Sequence, residues 1–317
     1  MPLYDLPLDQ LRQYRTTTEE PAELDEWWTE RLAMARALTK PLQLTRHHPD
    51  LYGVLEVYDA EFSGADGNRV KAWYIKPPEA DKIVVRFIGY GGGRGTPSEH
   101  MLLPSVGYSL FVMDTRGQGG RWTTGGTGDG SAGPENSLVM TRGVTTPEDY
   151  YYTRLYTDAA LAVDAALELS GGAPVAVSGA SQGGGLSLAA AALQRENVAL
   201  CHADVPFLCD IQRAVTFSPT APYSEISEFL AQNIDLVDAT LDTLRYIDCA
   251  LLARRITATT LVSVGLMDTV CPPSTVFAAY NEITAGKDIA VHPFSQHGVP
   301  SLHVERQLRH LRENFPA

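Results

Sequence analysis

The chain has 317 residues, 44% of them hydrophobic and 20% charged, and a formal net charge of −13. That much apolar matter is enough for a full core and excludes disorder, while the acidity excludes nucleic acid as a partner, since phosphates would be repelled. No run approaches the roughly 20 apolar residues of a membrane span.

The start, Met1-Pro2-Leu3-Tyr4-Asp5, lacks the basic and apolar regions of a signal peptide. Cys201, Cys209, Cys249 and Cys271 form no CxxC pair and no metal spacing with histidine, so reduced thiols and a cytoplasmic setting are expected.

Pro21 to Leu38 reads as a helix, with Trp27, Trp28, Leu32 and Ala35 at helical spacing and acids in its first turns. Such an N-terminal arm, about residues 1–40, either packs on its own domain or joins subunits. Leu55 to Phe62 and Val70 to Ile75 read as strands of a hairpin turning at Gly64-Ala65-Asp66-Gly67-Asn68. Ile83 to Ile88 is apolar enough for a buried strand and runs into Gly89-Tyr90-Gly91-Gly92-Gly93-Arg94-Gly95.

Tyr108 to Asp114 is the next strand, followed by Arg116-Gly117-Gln118 and a glycine-rich loop through Gly133 that contains Trp122. A loop this long is usually functional. Arg116 is expected to be structural, its fork of donors pinning loop carbonyls. Tyr150 to Leu169 is a helix that Gly171-Gly172 stop.

Val175 to Ala180 is a short strand, and a small-residue helix through Leu193 follows the turn after it. Leu200 to Pro206 is a strand, and about residues 207–252 form a helical insertion over the carboxyl ends of the strands. Thr260 to Gly265 is a strand, Ser274 to Glu282 a helix, Ile289 to Phe294 the last strand and Leu302 to Asn314 the last helix. This alternation predicts a mostly parallel central sheet with helices on both faces, in one α/β domain over residues 1–317.

Between the Val175 strand and its helix, Gly179-Ala180-Ser181-Gln182-Gly183 matches G-x-S-x-G. In that motif the serine sits on a sharp strand-to-helix bend with its hydroxyl exposed above the sheet. The helix behind it directs its N-terminal amides to the same spot. The plainer alternative is a turn serine capping that helix.

The motif bears on the earlier glycine run, which fits neither a P-loop nor a clean dinucleotide fingerprint. The run is read instead as the loop after the third strand of an α/β-hydrolase fold, which supplies one oxyanion amide.

A serine needs an adjacent base, itself oriented by an acid, in the chain order serine, acid, histidine. Asp268 lies three residues past the strand ending at Gly265; its other reading is a turn residue before Pro272-Pro273. Of the later histidines, His292 falls in a strand and His303 and His310 on one face of the last helix. His297 alone lies in the loop straight after a strand. Ser181, Asp268 and His297 are therefore the expected catalytic residues, with the backbone amides of Tyr90 and Gln182 as oxyanion donors. No cofactor and no metal are expected.

The chain resembles the acetyl xylan esterase / cephalosporin C deacetylase esterases, carbohydrate esterase family 7. The resemblance is carried by Arg116-Gly117-Gln118, Gly179-Ala180-Ser181-Gln182-Gly183-Gly184, and Gly265-Leu266-Met267-Asp268 with the run Cys271 to Asn281. Val205 to Asp210 and Pro222 to Ile226 resemble it too. It implies an α/β-hydrolase with Ser181, Asp268 and His297 as triad and Tyr90 and Gln182 at the oxyanion hole. It further implies a cytoplasmic homohexamer that removes acetyl groups from xylo-oligosaccharides and cephalosporin C. Two positions depart from the family: Gly298 stands where a glutamate is usual, and Ile88 where a histidine is frequent. The residues alone leave two rivals, another α/β-hydrolase such as a short-chain carboxylesterase or acyl-peptidase, and a hydrolase-like binding protein that has lost turnover.

Overall fold

Strands that are buried on both faces read as unbroken apolar runs, and those exposed at a sheet edge as polar ones. A computed structural model describes residues 3–130 and 138–316 and arranges nine strands in that way. They are β1 (Gln43–Arg46), β2 (Glu56–Ser63), β3 (Arg69–Lys76), β4 (Ile83–Phe87), β5 (Ser109–Met113), β6 (Val175–Ala180), β7 (Val198–Asp204), β8 (Thr259–Gly265) and β9 (Lys287–His292). The sheet order is β1-β2-β3-β5-β4-β6-β7-β8-β9. The first four in that order pair antiparallel, and every pair from β5 through β9 is parallel.

The helices are α1 (Leu8–Leu11), α2 (Leu24–Ala37), α3 (Leu102–Ser105), α4 (Tyr151–Leu169), α5 (Gln182–Gln194), α6 (Ile211–Phe217), α7 (Tyr223–Gln232), α8 (Val237–Arg245), α9 (Cys249–Leu252), α10 (Pro273–Glu282) and α11 (Ser301–Asn314). Alternation within the strands divides the core. Ile83, Val85, Val175 and Val177 face the layer of α4, α5 and α10, whereas Val84, Leu110, Ala176 and Leu200 face α11. The mostly parallel sheet with helices on both faces is as expected.

Three expectations need correction. β1 was not expected, since its four exposed residues, Gln-Leu-Thr-Arg, carry no alternation. Its pairing is supplied by β2, with Gln43 opposite Glu61 and Arg46 opposite Tyr58. The strand expected through Pro206 stops at Asp204, because Val205 turns to a positive φ of 36° before a proline that has no N–H to donate. The last strand starts and ends two residues earlier than expected, and Phe294 lies beyond it, exposed. Residues 131–137, the end of the glycine-rich loop expected through Gly133, lie outside the described residues.

The arm packs on its own chain. Trp28 is buried, stacks on Tyr156 and donates from Nε1 to the Tyr246 carbonyl at 2.9 Å. Arg255 donates to the carboxylates of Glu20 and Asp25; burial would lower its guanidinium pKa, but those two hydrogen-bonded carboxylates outweigh it and hold the pKa raised. The four cysteines are free and buried. Among the described residues no helix is long and apolar enough to cross a membrane.

The bend after β6 is tight enough that its glycines are dictated by space. A Cβ on Gly179 would lie 2.4 Å from the Gly183 carbonyl, and one on Gly183 would lie 2.3 Å from the Phe87 carbonyl. Both contacts are with backbone, which cannot swing aside. Gly183→Ala is therefore expected to destabilise the fold by about 1–3 kcal/mol or more, read as a lower urea midpoint with an unchanged slope. A midpoint equal to that of the parent would mean that α5 can slide away from β4.

Candidate active site

Ser181 sits where β6 ends and α5 begins, at φ 56° and ψ −120°. That conformation is strained for a residue with a Cβ, at a cost of order 1–3 kcal/mol, and persists only where neighbours fix it. Here the Ser181 N–H donates to the Asp204 carbonyl at 2.9 Å, and its carbonyl accepts from Gly185 and Phe207, each at 3.0 Å. The bend is thus clamped by the end of β7 and the start of the insertion, and no side-chain cap bond to α5 is formed.

The Ser181 hydroxyl is turned to His297: Oγ and Nε2 are 2.8 Å apart. The other ring nitrogen, Nδ1, lies 2.8 Å from Asp268 Oδ2. Asp268 is fully buried, and its Oδ1 accepts from the amides of Val270 at 2.8 Å and Cys271 at 3.0 Å. Two backbone donors on one oxygen fix the carboxyl plane and leave the second oxygen for the ring. The His297 side chain keeps 27% of its surface exposed, so the site opens to solvent from the loop after β9. A Cβ on Gly298 would meet nothing within 4 Å, so the residue departing from the family pattern stands in open space.

Asp268, Cys271 and His297 bring one ligand-type atom each within 4.8 Å of one another, the one such group among the described residues. Burial, together with the Asp268 charge, pushes the Cys271 thiol pKa well above its usual range.

Tyr90 lies in the loop after β4, and Gln182 is the first residue of α5. Among the described residues neither backbone amide is used by a loop or turn hydrogen bond, so both are left available as donors. Their side chains are occupied elsewhere. Tyr90 Oη donates to Glu225 at 2.8 Å; burial, then Glu225, pushes the phenol pKa up, and burial pushes the Glu225 carboxyl up. Gln182 Oε1 accepts from Tyr152 at 3.0 Å and from Gln118 at 2.9 Å, and its Nε2 donates to the Ile88 carbonyl at 3.2 Å.

The Arg116-Gly117-Gln118 run lies behind this loop. Gln118 Oε1 accepts from the Gly91 amide at 2.7 Å while its Nε2 donates to Tyr151 and Gln182. One amide therefore ties the glycine loop to the elbow. Gly117 turns at φ 59°, a conformation that favours glycine. Arg116 is buried against Asp158, with Nε and Nη2 at 2.5 and 2.6 Å from its two oxygens. Arg116 was expected to pin loop carbonyls, but its main partner is a carboxylate; the contact with the Asp129 carbonyl is longer, at 3.4 Å.

Sequence reasoning missed several residues around the site. The Tyr4 hydroxyl donates to the Asp268 carbonyl, and Asp5 accepts from the Ser274 amide at 2.7 Å and from Arg213 at 3.0 Å. Glu225 in α7 and Tyr151 and Tyr152 in α4 were missed as well. The consecutive tyrosines at 150–152, all buried, were the signal available.

The fold is of the α/β-hydrolase type, and comparison with known proteins narrows the class to carboxylic ester hydrolases. The chain belongs to the acetyl xylan esterase (AXE1) family, which it matches over residues 1–314. It is similar to solved acetyl xylan esterases from Paenibacillus sp. R4 and from Thermoanaerobacterium sp. JW/SL YS485. Each is 32% identical with a TM-score of 0.88 and covers 98% of this chain and 100% of its own. It is also 27% identical over 292 residues to the acetyl esterase Axe7A of Xylanibacter ruminicola, covering 90% of this chain. The chain spans 65% of the length of that curated relative.

Proposed function

We propose that the chain acts as one α/β-hydrolase domain that removes acetyl groups from small acetylated carbohydrates, xylo-oligosaccharides foremost, through a Ser-His-Asp acyl-enzyme. The observation that carries this reading is the continuous chain of 2.8 Å contacts from Ser181 Oγ through the two His297 nitrogens to Asp268. An ionised Asp268 can only accept, so it holds the His297 proton on Nδ1 and leaves Nε2 as the base. Ser181 Oγ attacks the acetyl carbonyl carbon as its proton passes to Nε2. The oxyanion is met by the Tyr90 and Gln182 amides. The carbon–oxygen bond to the sugar then breaks, and the leaving oxygen takes the proton from Nε2. Water repeats the sequence on the acetyl-serine and releases acetate.

Three observations support a small acyl group and a sugar. They are the family membership, the likeness to two solved acetyl xylan esterases, and the open rim at His297. Cephalosporin C deacetylation and a homohexamer are part of the proposal through the resemblance alone, and a cytoplasmic setting through the resemblance and the unpaired cysteines. Acetate release should be measured in parallel from acetylated xylo-oligosaccharides, cephalosporin C and an acetylated peptide anilide. Release from the sugar at the highest kcat/KM is expected. Preference for the anilide would move the protein to the acyl-peptidases.

The oxyanion assignment has its own test. Tyr90 is proposed to act through its backbone, which Tyr90→Phe retains. That variant removes the donor to Glu225, which is 8% exposed, and is expected to cost about 1–3 kcal/mol of stability while kcat falls less than tenfold. A thousandfold loss in kcat would instead put the hydroxyl in the chemistry.

A further inference from the structure

A cation in the middle of a central parallel strand calls for a partner, because an unpaired charge away from bulk water is costly. Arg86 in β4 is the one half-buried residue of its strand, and its side chain opens onto a cavity on the α11 side of the sheet. Its neighbours at odd positions, Val85 and Phe87, pack towards α4 and α5, whereas Val84 and Ile88 pack towards α11. Arg86 shares the even row and faces α11. In register it lies beside Ser178 of β6, and Ser178 lies beside His202 of β7. One row across the sheet therefore carries three adjacent polar side chains. The row below it, Leu110, Val84, Ala176 and Leu200, is apolar.

Two of the three have no protein partner among the described residues. Among the described residues Arg86 has neither a side-chain hydrogen bond nor an ion pair. Ser178 is 5% exposed, and its buried Oγ has no partner. His202 is satisfied by His310, with Nε2 3.0 Å from Nδ1. Burial, then His310, pushes its pKa down to about 3, so it is neutral. The nearest acid, Asp204, is committed to Ser263, His303 and Gln307. Glu99, at the rim, is turned to Thr96.

Arg86, Ser178 and His202 line a cavity of about 190 Å³ between the sheet and α11 that is open at a rim carrying Glu99 and His100 and is lined elsewhere chiefly by Leu103, Leu200 and Leu308. Ser178 precedes Ser181 by three residues, about 10 Å of strand, so the cavity lies beneath the elbow and apart from the His297 rim.

We infer that this cavity binds a small monoanionic carboxylate with a short aliphatic tail. The guanidinium fork and the Ser178 hydroxyl take the carboxylate, since a planar fork matches a carboxylate's two oxygens. The leucines take the tail. One cation beside a cluster of leucines matches one negative charge on an apolar body, and the Glu99 carboxylate at the rim disfavours the higher charge of phosphate.

Calorimetric titration of the full chain with sodium acetate, butyrate and hexanoate tests this. Affinity is expected to rise about fourfold per added methylene, with one site per chain, a melting temperature that climbs with ligand, and no competition from inorganic phosphate. Arg86→Gln should weaken butyrate binding at least tenfold. Leu308→Trp, which keeps the charge and fills the cavity, should do the same. His297→Ala should leave binding unchanged, which separates this cavity from a carboxylate held beside Ser181.

Absence of heat and of any melting shift in the parent at millimolar butyrate overturns the inference. So does butyrate affinity retained in Leu308→Trp or in folded Arg86→Gln, or lost in His297→Ala. Affinity that is independent of tail length and displaced by phosphate overturns it as well.

Discussion

Ser181→Ala is expected to lower kcat for p-nitrophenyl acetate by about 10⁶-fold, leaving only what the oxyanion donors and binding supply. The loss should be confined to chemistry. The Ser181 side chain makes one contact of consequence, with His297 Nε2, while the bend is held by its backbone bonds to Asp204, Gly185 and Phe207. Alanine keeps the Cβ and the same strained φ, so the urea midpoint should move little, within about 0.5 kcal/mol.

Asp268→Asn separates the acid from the rest. Its oxygen would stay with the Val270 and Cys271 amides, which turns the NH₂ group towards Nδ1. The ring must then accept at Nδ1 and carry its proton on Nε2, where it cannot act as a base. A fall of about 10⁴-fold is expected. A fluorophosphonate probe should modify the parent at Ser181 and spare Ser181→Ala. Full hydrolysis by Ser181→Ala would remove the esterase mechanism outright.

That Ser181, Asp268 and His297 come together was readable because the sequence places each of them in a turn or loop after a strand. Ser181 has glycines on both sides that the close approach of α5 to β6 and β4 demands. Asp268 follows an apolar strand, β8, whose end at Gly265 is sharp in the sequence, and His297 is the one late histidine that falls in a loop, although the strand before it ends two residues earlier than expected. The network behind them was not readable, because its partners meet across the fold. Gln118 joins Gly91 to Gln182, 64 positions away, and Tyr4 reaches Asp268, 264 positions away. Nothing local in the sequence specifies either pairing.

β1 escaped for a related reason: its four exposed residues gain their hydrogen bonds from β2 rather than from any propensity of their own. Arg86 is the opposite case. A charge inside an apolar strand is visible in the sequence, but only the register that sets it beside Ser178, with no acid paired to it, gives it a meaning.

Arg116→Met is expected to destabilise the protein by about 3–5 kcal/mol, the cost of leaving a partner charge buried and alone. Arg116 and Asp158 are both fully buried, and their pairing is bidentate. Burial alone would lower the guanidinium pKa; the Asp158 charge and hydrogen bonds outweigh it and hold it above its usual range. Asp158 Oδ1 also accepts from the Ala65 amide at 2.8 Å, so the pair joins the loop after β5, the middle of α4 and the turn between β2 and β3. With methionine in place, Asp158 keeps that one amide and loses two charge-assisted bonds.

The double variant Arg116→Met/Asp158→Leu should recover most of the loss, because two buried charges replaced by apolar side chains are often close to neutral. Urea midpoints of the two variants against the parent measure this. Because the pair does not touch Ser181, His297 or Asp268, kcat per folded molecule of the double variant should stay within about tenfold of the parent. Stability recovered by the double variant together with a kcat still down a thousandfold would show that Arg116 acts on the reaction itself, through the Gln118 loop, and would end its purely structural reading.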